Sequence, residues 1–134
     1  MSVTPEPAFL QTVHPAIPAS VRAARREVSS FAARHGADAR TISSVALAVS
    51  EACTNAVLAA AERTSPPRIT ITAEYGDGRL HVSVCDFGAT VRPRVEDLGA
   101  HESFAIIQAL ADVVELRRTR DDGLELSMDF GLSA

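Results

Sequence analysis

Lysine is absent from the 134-residue sequence, and all 13 of its basic residues are arginine. This absence excludes enzyme classes whose chemistry depends on a lysine: P-loop nucleotide hydrolases, eukaryotic-type protein kinases and enzymes that form a Schiff base. Tryptophan is also absent and there is one tyrosine, which argues against an aromatic platform for single-stranded nucleic acid. The net charge of −4 is opposite in sign to that of most proteins that bind nucleic-acid phosphates.

Cysteine is scarce as well. Cys53 and Cys85 are too few for a disulfide framework and lack CxxC spacing, so we expect two buried free thiols in a reducing compartment. No stretch approaches the ~18 continuous apolar residues of a membrane span. The first 21 residues contain neither an arginine nor the apolar core of a secretory signal. A cytoplasmic protein with no membrane segment is therefore expected.

Length and composition predict one folded domain. Residues 1–8 are predicted to be a loose N-terminal tail and 9–131 a single unit. Apolar residues recur at three- and four-residue spacing over 18–35 and again over 38–63. This spacing predicts two helices, of which the second is the longest element of the chain.

The remaining predicted elements are short. Strands are predicted over 9–13, 69–74, 80–85, 113–116 and 124–130. A helix is predicted over 104–111, whereas 88–102 follows neither period and is predicted to be a long loop, which in a compact domain is usually functional or disordered. The order of elements and the one-sided apolar strands predict an α/β two-layer sandwich, with a mixed, mostly antiparallel sheet and helices on one face.

A polar stripe on the longest predicted helix carries the first candidate site residues. The stripe contains Ser44, Glu51, Asn55 and Glu62 and lies away from the apolar stripe. Glu51 and Asn55 are four residues apart and therefore neighbours. A carboxylate and an amide so placed could serve as a general base and as a ligand of a divalent metal, because hard cations take oxygen donors. A polar stripe that is merely solvated has the same pattern, and the spacing leaves both interpretations open.

The second candidate feature is at the end of the strand over 80–85. By period two, Asp86 lies on the inward, apolar face of that strand, where a buried carboxylate needs a partner. Gly88 follows and permits a ligand to come close to the backbone. An aspartate that begins an ordinary turn, followed by a turn glycine, has the same pattern, so this alternative also stays open.

Three segments together resemble a known family. They are Glu51-Ala52-Cys53-Thr54-Asn55-Ala56, the strand end Asp86-Phe87-Gly88, and the stretch FAIIQALADVVEL over 104–116. In this order they resemble the small bacterial anti-sigma-factor serine/threonine kinases, which are histidine-kinase-like (GHKL) ATPases. The resemblance extends over about 9–130.

The resemblance implies a Bergerat fold in which ATP lies between the long helix, the sheet and the loop that acts as a lid. It implies that Glu51 is the catalytic general base toward a protein serine and that Asn55 holds Mg²⁺ against the phosphates. It further implies that Asp86 accepts a hydrogen bond from the adenine amino group, with Gly88 beside the ring. The implied partners are a sigma factor and an anti-anti-sigma protein as the serine substrate, and the implied assembly is a homodimer without direct contact to nucleic acid.

The predicted lid departs from the family pattern. The family's lid ends in G-x-G-[LF], whose glycines let backbone N–H groups surround the phosphates. Here His101 and Ser103 replace the two glycines, and Glu102 between them adds a negative charge, which disfavours phosphate. Two functions remain open: an Mg-ATP-dependent kinase and anti-sigma factor, or a nucleotide-independent partner-switching module with a degenerate ATP site. Retention of Glu51 and Asn55 favours the first, and loss of the glycines favours the second.

Overall fold

Five strands and three helices make up the computed structural model, which describes residues 8–60, 68–86, 98–119 and 123–132. In chain order the elements are β1 (Ala8–Pro15), α1 (Pro18–Arg34), α2 (Ala39–Ala60), β2 (Arg68–Gly76), β3 (Arg79–Asp86), α3 (Leu98–Leu110), β4 (Val113–Arg118) and β5 (Leu124–Gly131). The strands form one sheet in the order β1-β2-β3-β5-β4, and each pairing between these described strands is antiparallel. The predicted two-layer α/β sandwich is confirmed.

Local signals in the sequence set the ends of the first two helices. Pro18 occupies the first turn of α1, where its missing N–H costs no hydrogen bond. Gly36, which follows the C-cap residue His35 of α1, adopts a φ of +90°, a conformation that a glycine accepts without strain and that ends the helix. The Asp38 side chain then accepts a hydrogen bond from the Thr41 backbone N–H at 2.8 Å and caps the start of α2.

The core lies between the helices and one face of the sheet. Its most completely buried sheet residues alternate along β2, β3 and β5, as period two predicts: Ile69, Ile71, Leu80, Val82 and Met128. The opposite face carries cross-strand polar pairs, among them His81 with Asp129 at 2.8 Å. The sheet is therefore apolar toward the helices and polar on its other face.

Among the described helices, α2 alone is also long and apolar enough to cross a membrane, with a mean hydropathy of 1.5 over an 18-residue window. It contacts α1, α3, β3 and β5. Seven of its residues are buried: Val45, Ala48, Val49, Ala52, Cys53, Ala56 and Ala60. Core helices share this length and composition with membrane spans, and these contacts are those of a core helix.

The structure corrects the predicted loop over 88–102. Helix α3 begins at Leu98, so residues 98–102 are helical. No proline interrupts this stretch, and the helical turn brings Ser103, Ile107 and Ala111 onto one buried face. The first part of that loop, Gly88 included, lies outside the described residues, as do residues 1–7 of the tail predicted over 1–8 and the end of the second predicted helix over 61–63. Ala8, the last residue of the predicted tail, begins β1. The domain boundaries stay a prediction.

Candidate functional site

Glu51 and Asn55 meet a side chain from the third helix. The Ser103 hydroxyl of α3 donates to Glu51 Oε2 at 3.0 Å and to Asn55 Oδ1 at 3.2 Å. Ser103 is only 9% exposed, and Glu51 and Asn55 are half-buried. This part of the polar stripe of α2 is therefore an interhelical polar contact and not a fully solvated surface.

Apolar packing positions Ser103 over α2. Ile107, one turn further along α3, is 1% exposed, and Ala111, one turn beyond that, is 8% exposed. Phe104 is half-buried and packs against the core. Because side chains four residues apart share a helix face, burial of Ile107 turns Ser103 toward α2. The resemblance had drawn attention to residue 103 only as the site of a missing glycine, and its contact with Glu51 and Asn55 was not predicted.

Asp86 lies where period two places it, on the helix-facing side of the sheet at the end of β3. It is 7% exposed and is paired with Ile69 of β2 and Leu124 of β5. Helix α2, which carries Glu51 and Asn55, also contacts β3. Gly88 lies outside the described residues, so its predicted place beside a ligand stays a prediction.

A close approach by Gly123 supports the Asp86 backbone. A Cβ atom at residue 123 would lie 2.5 Å from the Asp86 carbonyl oxygen and 2.8 Å from Thr119 Oγ1. The Gly123 N–H donates to Thr119 Oγ1, and the Thr119 N–H donates to the Gly123 carbonyl, each at 2.9 Å. The start of β5 can therefore lie against the end of β3 only because residue 123 has no side chain.

The amide oxygen of Asn55 fits a magnesium ion that is bound together with phosphates. Mg²⁺ prefers oxygen ligands and is usually held by one or two protein groups plus substrate phosphates. Within the described part of the chain, no group of three or more His, Cys, Asp or Glu side chains could hold a metal ion by itself. One protein oxygen, from Asn55, suits a metal whose remaining ligands a nucleotide supplies.

The two cysteines take no part in this contact. Both are buried, which confirms the expectation of buried thiols. Burial raises the pKa of the Cys53 thiol to about 12, so the side chain is neutral at physiological pH. Cys53 therefore acts as a small apolar core residue of α2.

Comparison with known proteins identifies the family of this fold. A model of the histidine kinase-like ATPase domain matches residues 14–130. The chain belongs to this family. A histidine kinase-like ATPase domain implies ATP binding, typically with Mg²⁺. The predicted resemblance to histidine-kinase-like ATPases is thereby confirmed.

A solved structure shares the same fold. It is the crystal structure of the RsbU and RsbW domains of Rv1364c from Mycobacterium tuberculosis, which superposes on this chain with a TM-score of 0.75 and has 24% sequence identity to it. The similarity covers 95% of this chain and 33% of that one, so the chain spans about a third of that structure's length. None of the curated protein sequences matches the chain.

Proposed function

We propose that the protein is an ATP-dependent serine/threonine protein kinase and anti-sigma factor. It binds Mg-ATP, phosphorylates a serine of an anti-anti-sigma protein and sequesters a sigma factor in the cytoplasm. The observation that carries the proposal is the pair Glu51 and Asn55, which lies half-buried on α2 with both oxygens directed at a hydroxyl group. The fold shared with a structure that contains an RsbW domain supports the same function.

In this proposal Glu51 is the general base. A general base must come within about 2.6–3.2 Å of the hydroxyl whose proton it accepts. The Ser103 hydroxyl lies 3.0 Å from Glu51 Oε2, which supports access of a serine hydroxyl to this carboxylate. Glu51 would take the proton of the substrate serine as its oxygen becomes the nucleophile.

Asn55 and Asp86 bind the nucleotide in the same proposal. Asn55 holds Mg²⁺ through its amide oxygen, and Asp86 accepts a hydrogen bond from the adenine amino group, with Gly88 beside the ring. Phosphoryl transfer depends mainly on positioning and on neutralisation of charge. Because the chain has no lysine, that neutralisation rests on the metal, backbone N–H groups and arginine.

Two variants test these roles separately. Glu51→Gln keeps the shape of the side chain and removes its basicity, so we expect Mg-ATP to bind within a few-fold of wild type while transfer falls by about 10²–10⁴. Asn55→Ala should lose the Mg²⁺-dependent part of nucleotide affinity and remain folded. Binding is measured by calorimetry, and transfer by incorporation of radioactive phosphate into each anti-anti-sigma protein of the source organism. Glu115→Gln, on the exposed surface of β4, is the matched control.

Either of two results contradicts the assignment. Transfer at the wild-type rate by Glu51→Gln would exclude Glu51 as the base. Mg-ATP binding by Asn55→Ala as tight as that of wild type would exclude Asn55 as the metal ligand.

The edge of the sheet supports a homodimer as part of the proposal. In the sheet order, β1 is an edge strand, and on it Phe9 and Val13 are 60% and 50% exposed. Exposed apolar side chains on an edge strand are typical of a surface that another chain covers. Sedimentation at micromolar concentration should give the mass of a dimer, and a monomer at every concentration would contradict this part.

The alternative function is a nucleotide-independent partner-switching module. It is favoured by Ser103, whose hydroxyl engages both oxygens that the kinase needs, and by the exposed Glu102 beside it. The two functions differ in one measurable property, because only the kinase binds Mg-ATP.

A further inference from the structure

Ser103 is a part of the site for which the proposed kinase has no use. In the family pattern, residue 103 corresponds to the second lid glycine, and here it supplies a hydroxyl. We propose that Ser103 is a latch that occupies Glu51 and Asn55 in the nucleotide-free protein, holds α3 against α2, and must be displaced before Mg-ATP binds. The identity of the ligand rests on the proposed function, whereas the latch itself rests on the interhelical contact.

The hydrogen bonds put the latch on the two oxygens assigned to chemistry and metal binding. One hydroxyl proton is shared between Glu51 Oε2 at 3.0 Å and Asn55 Oδ1 at 3.2 Å. A magnesium ion at Asn55 Oδ1 would need the lone pairs that this hydroxyl proton faces. A substrate hydroxyl would likewise need the Glu51 oxygen. The Ser103 hydroxyl therefore competes with both ligands for the same atoms.

Burial makes the contact stronger than a surface hydrogen bond. Ser103 is 9% exposed, and its partner Glu51 carries a charge, so the bond is charge-assisted and partly shielded from water. A hydrogen bond of this kind favours the closed arrangement of the two helices.

The packing of α3 allows the latch to open without loss of the fold. Ile107, one turn after Ser103, is 1% exposed and anchors the second half of α3 in the core. Glu102, on the N-terminal side of the latch, is exposed. The N-terminal turns of α3 can therefore move away from α2 while Ile107 stays packed, as in local opening of a helix end.

The latch lowers the apparent affinity for nucleotide, because that affinity is proportional to the fraction of molecules in which the latch is open. When only the open state binds, the apparent dissociation constant is the intrinsic one divided by the open fraction. A latch that is closed about 90% of the time weakens binding roughly tenfold by this relation. Removal of the hydroxyl should recover that factor.

The test compares three variants of the full chain. Ser103→Ala removes the hydroxyl and keeps the Cβ atom and good helix propensity. Ser103→Thr retains a hydroxyl and should retain the latch. Ser43→Ala, at an exposed position of α2, is the matched control for a serine-to-alanine change in a helix.

The first measurement is amide hydrogen exchange without nucleotide. We expect the amides of the N-terminal turns of α3 to exchange about tenfold faster in Ser103→Ala than in wild type and in Ser43→Ala, because the open state becomes the major one. Exchange of α3 that is unchanged by Ser103→Ala would overturn the latch. This readout does not depend on whether the protein binds ATP.

The second measurement is calorimetric titration with Mg-ATP. We expect the dissociation constant of Ser103→Ala to fall about tenfold, which corresponds to about 1.4 kcal/mol, with Ser103→Thr and Ser43→Ala near wild type. Weaker binding by Ser103→Ala would indicate that Ser103 is a ligand of the bound metal, whereas equal binding would indicate that it is a packing residue. Either result would overturn the latch. If neither wild type nor Ser103→Ala binds millimolar Mg-ATP, the proposed kinase function fails, and the exchange measurement alone decides the latch.

Discussion

The close approach of Gly123 to Asp86 makes a stability prediction with a calculable cause. In Gly123→Ala the new Cβ would lie 2.5 Å from the Asp86 carbonyl oxygen, whereas ordinary van der Waals contacts begin at 3.4 Å. The backbone must therefore open by roughly 1 Å. The obstacle is a main-chain atom whose residue is paired on both sides in the sheet, so it cannot rotate away. Overpacking of this kind costs about 1–3 kcal/mol.

The assay is the free energy of unfolding from urea denaturation followed by circular dichroism. Only Gly36 and Gly78 have positive φ among the described glycines, so the cost at Gly123 is steric and not conformational. The same substitution in a Thr119→Ala background is the control. It removes the second obstacle, Thr119 Oγ1, and should leave most of the cost, because the carbonyl oxygen remains.

Gly123→Ala should also affect the candidate nucleotide site. If the end of β3 shifts, Asp86 shifts with it, and the proposed contact with adenine should weaken along with the fold. A change in unfolding free energy below about 0.5 kcal/mol, the range of neutral surface substitutions, would refute the steric reasoning.

Two further predictions concern the helices that carry the site. Ile107→Ala should lower the free energy of unfolding by about 2–5 kcal/mol in urea denaturation, because it leaves a cavity beneath α3; a loss of less than 1 kcal/mol would show that Ile107 does not anchor the helix. Burial raises the pKa of Cys53 from its ordinary 9.0 to about 12 in the folded state, so the unfolded chain loses this proton first. The contribution of Cys53 to stability is therefore complete below pH 9 and falls by about 1 kcal/mol per pH unit from there toward pH 12. Urea denaturation across this range should show the decline in wild type and lose the Cys53 part of it in Cys53→Ala, and identical pH profiles would contradict this prediction.

The sheet was predictable largely because β2, β3 and β5 each direct alternate apolar residues into the core. Period two placed Asp86 on the helix-facing side, and the structure has it there at 7% exposure. The turn between β2 and β3 is also marked in the sequence, because Asp-Gly is a typical pair for a two-residue hairpin turn. In the structure Asp77 and Gly78 both adopt the positive φ that such a turn requires. These features depend on residues close together in the chain, so local patterns suffice to predict them.

The start of α3 and the role of Ser103 could not be predicted in the same way. Residues 98–102 show no apolar period of their own, and the family pattern has a glycine-containing lid at this place. The Ser103 hydrogen bonds join residues 52 and 48 positions apart, and they form because Ile107 is packed in the core. A serine four residues before a buried isoleucine on a short helix was the available signal, but the residue that it faces follows only from tertiary packing. The approach of Gly123 to Asp86 depends in the same way on three strands assembled in register.

Calorimetric titration of the wild-type chain with ATP, with and without Mg²⁺, tests the proposed kinase function most directly. The assignment of Asn55 to the metal and of Asp86 to the adenine ring predicts binding in the micromolar range that requires Mg²⁺ and that is lost in Asn55→Ala. Absence of binding at millimolar ATP, or binding indifferent to Mg²⁺, would contradict that function and leave the nucleotide-independent partner switch as the function of this fold.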